Sequence, residues 1–231
     1  MKMMTKSNPM RRIAGSLALA GLVTSSAVLA QDASFFVTSA GSGNGADLGG
    51  LEGADAHCQS LAEAAGHGGS TWRAYLSTQG DDAVNARDRI GSGPWYSVNG
   101  DLIANNLDEL HQDSVNVTHE TAVDENGDHV PYVHLQEDGT AIPPEEQPEW
   151  VEHDILTGTQ ADGTAFGAGE DRTCGNWTLS GEGSAMVGHH DRRSLRPGLS
   201  PWAAAHPSQG CSQQNLVDTG GSGRFYCFAA D

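Results

Sequence analysis

Lysine is nearly missing from this chain: only Lys2 and Lys6 occur, both in its first dozen residues. Beyond residue 30 every basic residue is an arginine. Eight arginines face thirty acidic residues there, a formal charge of −22. No basic residue stands between Arg89 and Arg172, a stretch that holds eighteen carboxylates. A chain of that sign repels nucleic acid and anionic lipid and suits cations or neutral polyols. Long apolar runs are missing as well. The uncharged run Ile13–Ala30 is broken by Gly15, Ser16, Thr24, Ser25 and Ser26, and falls short of the ~20 apolar residues of a spanning helix. There is no C-x-x-C, no G-x-S-x-G elbow, no P-loop and no dinucleotide fingerprint. Thiol redox chemistry, hydrolysis from a nucleophile elbow and nucleotide binding therefore lack a motif.

What the N-terminus does have is a three-part pattern. Lys2, Lys6, Arg11 and Arg12 precede an apolar centre at Leu17–Val23, and the run closes on Val28-Leu29-Ala30. That is the form of a secretory signal, so residues 1–30 are expected to be removed and residues 31–231 to form one exported domain, secreted or periplasmic. Cys58, Cys174, Cys211 and Cys227 all lie beyond it. Four cysteines in an exported chain read as two disulfides, with three pairings open. Staples matter here, because ordering thirty glycines is entropically costly.

Phe35–Thr38 reads as a first strand. Ala54 to Ala65 places Ala54, Cys58, Leu61, Ala62 and Ala65 on one helical face, with Gly66 at the stop. Trp72–Ser77 alternates with period two, as a half-buried strand does. Asp81-Asp82 are placed to cap a second short helix through Ile90. Further strands are expected near Cys174–Leu179, Ala185–Val187 and Arg224–Ala229. Residues 111–152 are dense in carboxylates, hold Pro131, Pro143, Pro144 and Pro148, and are poor in large aliphatics. They read as a long acidic surface loop, with a hairpin at most around Val130–Leu135.

The order of these pieces resembles a known family. Gly53-Ala54-Asp55 opens a helix carrying Cys58. Trp72-Arg73-Ala74-Tyr75-Leu76-Ser77 and Arg87-Asp88-Arg89 follow, then Asn99-Gly100-Asp101-Leu102-Ile103 and Leu107–Leu110. Gly158–Gly163, Cys174 with Trp177, Cys211 and Cys227 complete the series. It is similar to the endostatin-like domain of collagens XV and XVIII and its exported bacterial relatives. The resemblance implies an α+β, C-type-lectin-like fold with two short helices, a twisted and mainly antiparallel sheet, and long loops. It also implies nested bridges, Cys58 to Cys227 and Cys174 to Cys211, and a core position for Trp72, Trp177 and Tyr226. Two family features are missing. Gln147-Pro148-Glu149 and Trp202-Ala203-Ala204 lack the calcium-ligating side chains of the sugar-binding lectins, and no histidine cluster stands around Gln31–Val37 where vertebrate endostatins hold zinc.

Two local patterns carry chemistry of their own. Asp124, Asn126 and Asp128 space oxygen donors at alternate positions, as the start of an EF-hand loop does, but Leu135 stands where the bidentate Glu is needed. Calcium is the cation such a loop would take, and Trp150 nearby offers a face for a sugar ring. His189-His190-Asp191 is the most suggestive histidine cluster, although adjacent side chains on a strand point to opposite sides. The expected function is a non-catalytic exported binding module for a glycan or another extracellular or envelope polymer. The alternatives are a metal-assisted hydrolase using His189, His190 and Asp191, and a structural envelope protein without a small ligand.

Overall fold

The computed structural model describes residues 1, 32–132, 151–191 and 201–231. The expected signal segment past Met1, the tripeptide at 147–149, and Trp150 lie outside them. The architecture is mixed α+β. Strand β1 (Phe35–Val37) leads into helix α1 (Gly50–Ala64), then β2 (Trp72–Ala74), a 3₁₀ turn (Ala86–Arg89), β3 (Trp95–Tyr96), β4 (Leu102–Ala104) and helix α2 (Leu107–Leu110). After them come β5 (Asp154–Leu156), a helical turn α3 (Cys174–Trp177), β6 (Met186–His189), β7 (His206–Pro207), α4 (Gln213–Thr219) and β8 (Gly221–Ala229).

β8 is the axis of the molecule. β1 and β2 pair with it antiparallel, β5 lies parallel to its first half, and the order across the sheet is β1-β8-β5-β6-β7. β3 and β4 form a separate two-stranded sheet. The sheet is buried on both faces, and the period-two rule sorts its residues between them. Phe225 and Cys227 join Phe36, Leu76, Trp72 and Trp177 in the core under α1. Tyr226 and Phe228 join Phe35, Tyr75, Trp95 and Trp202 in the core on the opposite face. Trp72, Trp95, Trp177 and Trp202 are at most 1% exposed, and each indole N–H donates to a backbone carbonyl. These rings are core, with their polar handle satisfied.

Helix α1 presents Ala54, Cys58 and Ala62 to that core, and the small side chains let its axis lie close to the sheet. Cys58 is bonded to Cys227 on β8, and Cys174 to Cys211. Asp55 ties α1 to its surroundings. Its carboxylate takes the Arg89 guanidinium at 2.8 Å on each oxygen, Arg73 at 2.6 Å and the Ala74 amide at 3.0 Å.

Several expectations need correction. The helix begins four residues earlier than its apolar stripe, at Gly50. The strand at Trp72 ends at Ala74, because Ser77 turns away to receive the Trp177 indole on its carbonyl. The segment capped by Asp81-Asp82 is helical only over Ala86–Arg89. Cys174–Leu179 is no strand: Cys174, Gly175, Asn176 and Trp177 all have φ between 49° and 67°. Trp177 enters the core and the Cys174 sulfur reaches Cys211 from that left-handed turn. Among the described residues there are four helices and not two, and α4 (Gln213–Thr219) and β5 were not anticipated. The first half of the acidic stretch is not a solvated excursion. Val115, Val117, Ala122 and Val130 are buried in the core beneath Trp202, which donates to the Leu110 carbonyl. Small aliphatics spaced among carboxylates suffice to anchor it. The hairpin expected at Val130–Leu135 falls partly outside the described residues.

Candidate metal centre

β5 and β6 pair antiparallel with Asp154 directly across from His189. β7 pairs on the far side of β6, with His206 across from Val187, two residues along the strand from His189 and so on the same face. His153 sits just ahead of β5. Its neighbour Glu152 is clamped by Arg224 on β8, with Arg224 Nε 2.6 Å from Glu152 Oε2, while the Glu152 amide donates to the Pro131 carbonyl. Cross-strand register and this clamp bring together three segments distant in sequence.

The result is a convergence of donor atoms on one carboxylate. His189 Nε2 lies 3.0 Å from Asp154 Oδ1, His153 Nε2 3.3 Å and His206 Nε2 3.6 Å. His189 Nε2 and His206 Nε2 are 3.0 Å apart. Among the described residues, His153, Asp154 and His189 are the group whose donor atoms mutually converge closely enough to hold an ion. Donors bound to one zinc at about 2.0–2.1 Å in a tetrahedron stand about 3.3 Å from each other. The measured spacings fall around that value.

Asp154 is only 2% exposed, yet neither of its carboxylate oxygens has a hydrogen-bond partner. The imidazole nitrogens stand at ion-pair distance from it. They surround a common point. The outer face of His153 is fixed: its Nδ1 meets Asp191 Oδ1 at 3.2 Å, and the Asp191 side chain is fully buried. A carboxylate on Nδ1 leaves Nε2 as the lone-pair nitrogen, the usual support of a metal-ligating histidine. The His153 and His189 rings lie parallel, 4.3 Å between centroids. Burial lowers the His189 pKa against the opposing pull of Asp154, so that its imidazole is held toward the neutral, ligating form. Gly220 makes the wall. A Cβ on it would stand 3.3 Å from both Asp154 Oδ2 and His153 Nε2.

The sequence candidates divide accordingly. His189 is a donor and Asp191 orients a donor. His190 is fully buried and is not among the converging donors; burial pushes its pKa down to about 4. A three-residue His189-His190-Asp191 site is therefore not what the fold assembles. His153, Asp154 and His206 went unremarked, although the adjacent His153-Asp154 pair was a readable signal. Asp124 Oδ1 accepts the amides of Asn126 and Asp128 at 2.8 and 3.0 Å, which folds the loop on itself. Glu125 is buried and accepts from the amide and hydroxyl of Ser39. The Asp124 side chain thus serves the turn. Among the described residues no helix is long and apolar enough to cross a membrane. No model of a protein family matches this chain, and no curated protein does.

Proposed function

We propose that the chain is an exported, non-catalytic binding domain whose chemistry rests on a divalent transition-metal centre held by His153, Asp154 and His189. The observation that carries this is the Asp154 carboxylate: buried, and faced by three imidazole nitrogens at 3.0–3.6 Å rather than by a backbone amide or an arginine. Neutral imidazoles do not balance a buried carboxylate charge, and a bound cation does. Two imidazoles and one carboxylate suit zinc, iron, nickel or copper and not calcium, which takes oxygen. Zinc is the ion of choice for an oxidising compartment, since it has no redox chemistry of its own. Export is supported by the signal pattern of residues 1–30 and by two disulfides. An endostatin-like, C-type-lectin-like kinship is part of the same reading, resting on the ordered motifs and the four cysteines. A glycan or another neutral extracellular polymer is the partner class that suits so acidic a surface.

A metal-assisted hydrolase is the second reading. It is favoured by the half-exposed His206, which leaves one side of the centre less firmly held than the other three. Zinc titration of chelator-stripped mature protein in a calorimeter tests the first claim. One site per chain is expected, weakened at least about 100-fold in Asp154→Ala and His189→Ala and unchanged in Asp124→Ala/Asp128→Ala. Absence of binding, or equal binding in all variants, refutes it. Polymer retention on a glycan panel by the zinc-loaded protein supports the binding role, whereas turnover of an ester or peptide by that same protein moves the assignment to hydrolysis.

A further inference from the structure

The four donors are not held alike. Asp154 and His189 are locked by the β5–β6 register, and His153 by the buried Asp191 carboxylate behind it. Their side chains are 2%, 11% and 11% exposed. His206 differs in every respect. Its side chain is 41% exposed, it stands on a two-residue edge strand, and its Nδ1 reaches only the carbonyl of the next residue, Pro207, at 3.2 Å. Among the described residues no carboxylate orients it from behind, and it is the donor farthest from Asp154 Oδ1.

Resting on the metal-centre reading, we infer that His206 is an exchangeable ligand, and that an external neutral nitrogen donor of the imidazole class, such as a partner's histidine side chain, takes its place. The charge count selects that class. A divalent ion with Asp154 bound and Asp191 one bond-shell behind is already neutral, and the chain beyond residue 30 carries −22. An anionic donor would add uncompensated negative charge, whereas an imidazole replaces like with like. The exposed rim at His206 is the side from which such a donor can enter, because the other three directions are closed by β5, β6 and the Gly220 turn. Exchange at a loosely held ligand is also how a metal centre can become a recognition site without a deep pocket.

Cobalt(II) replaces zinc as a visible reporter in the test. Mature protein loaded with one cobalt is titrated with imidazole and, separately, with acetate, following the visible absorption and confirming after gel filtration that the metal is retained. Wild type should change its spectrum with imidazole at millimolar concentration. His206→Ala should start from a different spectrum, bind imidazole at least about tenfold more tightly, and recover a wild-type-like spectrum on doing so. Acetate should act at least about tenfold more weakly than imidazole in both. A wild-type spectrum indifferent to imidazole beside a variant that responds would make His206 a fixed ligand and overturn the inference. Identical spectra for wild type and His206→Ala would overturn it by showing that His206 does not ligate. Acetate binding as well as imidazole would overturn the donor class. Failure of the wild type to take up cobalt at all is a separate outcome, which removes the metal centre itself.

Discussion

Asp154 is a residue that folding alone would discard. Leaving a buried acceptor unsatisfied costs about 1–3 kcal/mol, and more when it is charged. Replacing it with asparagine in metal-free protein should therefore leave thermal stability equal to or above wild type, where most buried substitutions destabilise. Zinc should raise the wild-type melting temperature by several degrees and leave Asp154→Asn where it was, since only a ligand that binds the native state stabilises it. Differential scanning calorimetry with and without zinc reads both signs. A variant clearly less stable than wild type without metal would mean that Asp154 has a structural partner of its own. Asp191 acts through His153. Asp191→Asn should weaken zinc binding about 10–100-fold while His153 remains a ligand, the usual effect of losing an outer carboxylate. Much of this was hidden in the sequence. His189 and Asp191 stood out as neighbours, but His190 between them, in the turn after β6, is not among the donors. His153-Asp154 and His206 come from segments whose proximity only the sheet register reveals.

Helices and strands show the same division. The α1 stripe and the alternation at Trp72 were legible because their burial follows a helical or a two-residue period, and the strand around Arg224–Ala229 because it is a short apolar run. β5 was not, because three residues carry no period, and α3 was not, because left-handed backbone at Cys174, Asn176 and Trp177 has no propensity signature. Two predictions belong at this scale. Gly220 has φ 128°, and its missing Cβ leaves room for Asp154 and His153. Gly220→Ala should destabilise the fold by about 1–3 kcal/mol through backbone strain and weaken zinc binding as well. Equal zinc affinity in that variant would show that the turn does not shape the site. The Asp55–Arg89 pair, with side chains 13% and 9% exposed, joins α1 to the 3₁₀ turn. Asp55→Ala should cost about 3 kcal/mol, measured by denaturant unfolding, because it strands a nearly buried guanidinium. Its zinc affinity should be unaffected, as the pair is not among the donors.

Across the whole molecule, titration and topology govern stability. His111 accepts from the buried Tyr75 hydroxyl on Nε2, while its Nδ1 meets the Leu107 carbonyl. Burial lowers its pKa, so the folded state prefers the neutral ring. The stability gained that way is complete above the ordinary histidine pKa of about 6.5 and is lost as pH falls below it and through the lowered folded value. A melting profile from pH 8 to pH 4 should fall on the acid side, and His111→Gln should flatten part of that fall. The α+β class and the disulfide framework could be read from composition and motif order. The packing of the acidic stretch under Trp202 could not, because its anchors are isolated valines among carboxylates.

The metal centre binds these scales together, and diffraction at the zinc absorption edge tests it most directly. Crystals of mature protein grown with zinc should give one anomalous peak per chain, about 2.0–2.2 Å from His153 Nε2, His189 Nε2 and an Asp154 oxygen. A zinc-loaded crystal with no peak there, or with its peak among Asp124, Glu125 and Asp128, would contradict the assignment.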